Sequence, residues 1–129
     1  MKYIKALLVI VTFFAFNCVS AQSITEKWKQ MHDYHELLSK TFHPAEEGNF
    51  EPIKKASEDL VLKAEALDFK TMPEDLRTNK VEETIALLKK QTKTVNDLVQ
   101  RKAPNAEIMR AFENLHDIFH RIVEICEKK

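Results

Sequence analysis

Apolar side chains recur at alternating intervals of three and four along most of this chain, and that spacing constrains its fold more than any other feature. Trp28, Met31, His35, Leu38 and Phe42 form a first stripe. Ile53, Ala56, Leu60, Ala64 and Leu67 form a second. Val81, Ile85, Leu88, Thr92, Val95 and Val99 form a third, and Ile108, Phe112, Leu115, Phe119, Ile122 and Cys126 a fourth. A half-buried strand alternates with period two, so a period near 3.6 leaves helices, each with one face to bury. A single glycine among 129 residues, and an abundance of Leu, Lys, Glu and Ala, agree with an all-α fold.

The stripes are separated by helix-breaking signals. Ser23-Ile24-Thr25-Glu26 has the form of a capping box that opens the first helix, and Pro44 is expected to stop it. Residues 43–52 then make a connection that turns at Gly48-Asn49, with Pro52 in the first turn of the next helix. Residues 69–79 are a longer link around Pro73 with room for a short helical turn. Asn79-Lys80-Val81-Glu82 reads as a second capping box, and Ala103-Pro104 as the break before the last helix. Four amphipathic helices on mostly short connections predict an antiparallel up-down-up-down bundle.

Residues 1–21 read as a cleaved export signal. Lys2 and Lys5 charge its start, Ala6 to Phe16 form a short apolar core, and Val19-Ser20-Ala21 offers a small-x-small cleavage site. The apolar run falls short of the roughly 20 residues that span a bilayer, so no integral membrane span is expected after cleavage. Cys18 follows a poor lipobox, which leaves cleavage after Ala21 as the better reading. Residues 22–129 then form the domain, in the periplasm or outside the cell. Without Lys2 and Lys5 the chain carries 18 basic and 20 acidic residues, no electrostatic footprint for nucleic acid. Cys126 is the remaining thiol, so an intermolecular disulfide is open to the exported chain and an internal one is not.

Four of the five histidines fall in two short segments, MHDYHE at 31–36 and LHDIFH at 115–120. Spacings of three and four put each pair, His32 with His35 and His116 with His120, on one helical face. With the first and last helices adjacent, equal counting from the chain ends sets Met31 level with His120 and His35 near His116. Four imidazoles then share one inter-helix groove. Neutral imidazole binds Zn, Cu, Ni and Fe, and a His-x-x-x-His pair lets one helix give two ligands to one ion. Met31 and Glu36 are additional ligand candidates, and Met31 would favour Cu(I). Asp33, Glu113 and Asp117 stand close enough in sequence to hold imidazole N–H groups, and Cys126 is a weaker ligand candidate. The plainer alternative is a set of solvated histidines with His35 satisfied in the core. His43, immediately before Pro44, reads as a cation at a helix C-terminus, with Glu46, Glu47 and Asn49 as a weaker alternative site.

An export signal, four helices of this length, Met31 in the first and His120 in the last resemble the periplasmic four-helix cytochromes of the b and c-prime types. The b-type resemblance implies a non-covalent haem b electron carrier with Met31 and His120 (or His116) as axial ligands and Leu60, Ala64, Ile85 and Leu88 lining the slot. The c-prime type attaches haem through Cys-x-x-Cys-His, where this chain has HRIVEIC at 120–126. Covalent haem is therefore not expected.

No nucleophile with its base, phosphate loop or catalytic carboxylate pair stands out. A di-iron site, which needs Glu-x-x-His from each of two helices and further glutamates, is not expected. The expectation is a non-enzymatic exported bundle that binds Zn or Cu through His32, His35, His116 and His120. Haem binding, or a ligand-free interaction module that dimerises through an exposed stripe or Cys126, are the alternatives.

Overall fold

The computed structural model describes residues 23–127. The expected export signal and Cys18 lie outside the described residues, as does the side chain of Ser23 that the first capping box invokes. The described chain is all-α: α1 (Ser23–Lys27), α2 (Lys29–Glu46), α3 (Glu51–Glu65), a 3-10 turn (Glu74–Leu76), α4 (Asn79–Gln100) and α5 (Asn105–Glu127). Each helix packs on the next in sequence, and α5 also meets α2 and α1. None of these helices is long and apolar enough to cross a membrane.

The first stripe is not one rod. The chain opens at Trp28 into extended backbone (φ −123°, ψ 99°) and restarts as α2 at Lys29. The indole N–H of Trp28 donates to Thr71 Oγ1 at 3.1 Å, and that hydroxyl also reaches the Ala66 carbonyl at 2.9 Å. A nearly fully buried indole needs such a partner, and here it comes from the link after α3.

Pro44 does not end α2 either. It lies inside the last turn, where it removes one hydrogen bond, the one its own N–H would make to the Lys40 carbonyl. The helix ends at Glu46 and is closed by Gly48 (φ +93°), with Gly48 N–H on the Ala45 carbonyl and Asn49 N–H on the Pro44 carbonyl. That pair of bonds is a Schellman closure, which needs a left-handed residue where glycine sits. Asn49 Oδ1 then receives the Glu51 N–H and starts α3.

The cap of α4 is also displaced by one residue. Thr78, extended at φ −124°, takes the Val81 N–H on its hydroxyl, and Asn79 is the first helical residue. Three inward positions move as well, Tyr34 being fully buried where His35 was expected. Ser57 is buried in place of Ala56, with its hydroxyl donating to Asn96 Oδ1 at 2.8 Å. Leu98 is buried where Val99 was expected, and Val99 packs at the edge. Otherwise the four stripes meet in a single apolar core that includes Met31, Tyr34, Leu60, Leu88, Phe112, Leu115 and Ile122. Full burial of one such side chain contributes about 1.5–3 kcal/mol.

Candidate metal centre

The α2–α5 contact is built from alternating aromatic and imidazole rings. His35 on α2 lies parallel to Phe119 on α5, with centroids 4.9 Å apart and planes 1° from parallel. One to two turns along, the arrangement is exchanged: Phe42 of α2 lies on His116 of α5 at 4.1 Å and 4°. Phe112 meets Phe42 edge-on at 5.1 Å. Each histidine therefore has an apolar face covered by the opposite helix and an edge left for polar contact.

His116 and His120 converge. Their Nε2 atoms are 3.2 Å apart and their rings are close to perpendicular. The i, i+4 spacing on α5 sets both rings on one face, and Phe42 holds His116 in place. A hydrogen bond between two imidazoles needs one donor and one acceptor, so at least one ring is neutral. Burial, and then the neighbouring His120, hold the His116 imidazole below its ordinary pKa. His35 is also held below its ordinary value, first by burial and then by His120. Both rings are thus held toward the neutral form.

His35 and His120 line one groove of about 410 Å³ between α1, α2 and α5, with Ile24, Phe119, Val123 and Glu124. The register is shifted from the expected one. His35 stands against Phe119 and His120 rather than near His116, and His116 stands against Phe42. Counting residues from the ends fixes no register between α2 and α5; the stacking of His35 on Phe119 and of Phe42 on His116 does.

The other candidates are placed elsewhere. His32 is exposed and pairs with Glu36 at 3.5 Å, while Glu36 also holds Lys40 at 2.9 Å. Met31 is fully buried in the core. Asp33 pairs with Lys29 at 3.0 Å. His43 meets Glu46 through Nδ1 at 3.2 Å, a side-chain pair in the last turn of α2. Glu113, exposed and three residues before His116, makes the single Glu-x-x-His of the chain, one short of the two that a di-iron site needs. Among the described residues, no group of three or more His, Cys, Asp or Glu side chains is gathered closely enough to hold a metal. The site is thus a two-imidazole pair with a third imidazole nearby.

Met31 is fully buried and His120 is exposed on α5, and Leu60, Ala64, Ile85 and Leu88 are all buried members of the apolar core. Compared with protein-family models, with curated proteins and with solved structures, the chain matches none.

Proposed function

We propose that this protein is an exported, non-enzymatic antiparallel four-helix bundle that binds a transition metal, Zn or Cu, at His116 and His120 with His35 beside them. The observation that carries the reading is the 3.2 Å separation of the two Nε2 atoms. Two imidazoles at about 2.0–2.1 Å from a tetrahedral ion sit roughly 3.3 Å apart, and roughly 2.9 Å apart at a square-planar one. The observed 3.2 Å falls within the span that one ion bridges between two imidazoles. The fully buried position of Met31 removes the thioether that would favour Cu(I). Antiparallel packing of α2 and α5 is supported by the ring pairs, since His35 meets Phe119 while the later Phe42 meets the earlier Phe112 and His116. Export rests on residues 1–21 of the sequence.

Thermal unfolding of untagged protein with and without added Zn2+ or Cu2+ tests the reading. A ligand that binds only the folded chain stabilises it by about 2.7 kcal/mol at a hundred times its Kd. The midpoint should rise with metal in the native sequence and not in a His116→Ala, His120→Ala variant. Equal midpoints for the native chain in metal and in chelator would remove the proposal.

A further inference from the structure

The His116–His120 pair offers a metal two protein ligands from one helix, and the rest of the chain is poorly placed to offer more. His35 is stacked flat on Phe119, and His32 is paired with Glu36. No third His, Cys, Asp or Glu joins the pair closely enough among the described residues. A zinc ion bound there keeps two coordination positions that face away from the core, since His120 is exposed. Structural zinc closes its shell with four protein ligands. A second copy of the same helix face supplies the missing two, and a two-fold axis through the ion makes both halves equivalent.

Resting on the metal-binding reading, we infer that zinc joins two copies of this chain through a shared site of two His116 and two His120 side chains, one pair from each α5. Burial of the His116 face against Phe42 fixes one ring of each pair before the partner arrives, which lowers the ordering cost of assembly.

The test is sedimentation velocity on the untagged chain in Zn2+ and in EDTA, with the bound metal measured on the sedimenting species. The expected result is twice the chain mass with one zinc for every two chains, and a single-chain mass in EDTA. His120→Ala should stay single in Zn2+ with its helical circular dichroism unchanged, because His120 is exposed. His32→Ala and His43→Ala should dimerise as the native chain does. One zinc per chain at single-chain mass would overturn the bridge and leave the metal-binding reading standing. A failure to bind either Zn2+ or Cu2+ would overturn both, whereas binding of Cu2+ alone would overturn the zinc bridge and leave the metal-binding reading standing. A dimer that survives EDTA or His120→Ala would overturn the bridge, since another surface would then hold the copies together.

Discussion

The His116 ring lies flat on Phe42, with centroids 4.1 Å apart and planes 4° from parallel. Phe42 is nearly fully buried and also packs edge-on against Phe112. One side chain thus links the apolar core to the imidazole pair.

Phe42→Ala should cost about 3–5 kcal/mol through the cavity it leaves, and Phe42→Leu clearly less. Urea unfolding at neutral pH measures both. Phe42→Leu should also weaken metal binding relative to His43→Ala, because the His116 ring loses its flat support. Unchanged metal affinity in Phe42→Leu would show that stacking does not orient the ligand.

Stability of the metal-free protein should fall on mild acidification. Folding lowers the pKa of His35 and of His116 below the ordinary value of 6.5, chiefly by burial. The unfolded chain therefore binds more protons, and the contribution is fully present above pH 6.5 and lost as pH falls through the lower folded values. Urea midpoints in EDTA across that range measure it. His35→Phe should flatten the dependence, since a phenyl ring keeps the stack on Phe119 without a titrating group. An equally steep dependence in His35→Phe would move the effect to other residues.

Thr78→Ala should cost about 1 kcal/mol, because the Val81 N–H loses its hydroxyl partner. Asn79→Ala should be close to neutral, since Asn79 is already helical. Equilibrium unfolding of the two variants side by side decides between the caps. A larger loss for Asn79→Ala would restore the cap position expected from sequence.

Tyr34→Phe should cost about 1 kcal/mol. The Thr92 hydroxyl donates to the Leu88 carbonyl at 2.7 Å, so Tyr34 donates to Thr92 at 2.9 Å. Burial pushes the Tyr34 phenol above its ordinary pKa. Alkaline titration of tyrosine absorbance should therefore show no ionisation of Tyr34 at pH 10 while the fold persists, and a transition there would contradict its burial.

One part of the candidate site was legible because its signal is local. The i, i+4 relation of His116 and His120 follows from helix geometry alone. Sequence spacing set His35 near His116, whereas packing sets it against Phe119 and beside His120. The placement of His32 did not follow: one position off that stripe, it turns to the Glu36 side of α2. Glu113, at a helical spacing from His116, was present in the same local signal.

The sequence by itself determined that the chain forms helices, where most of their inward faces lie and that two imidazoles share one face of α5. Those features depend on neighbours three and four residues apart. Tertiary structure decided the break at Trp28, because the indole finds its partner 43 residues away at Thr71. It also decided which rings of α2 meet which rings of α5. That register depends on shape-matched packing between Phe42, Phe112 and His116, contacts that no local spacing encodes.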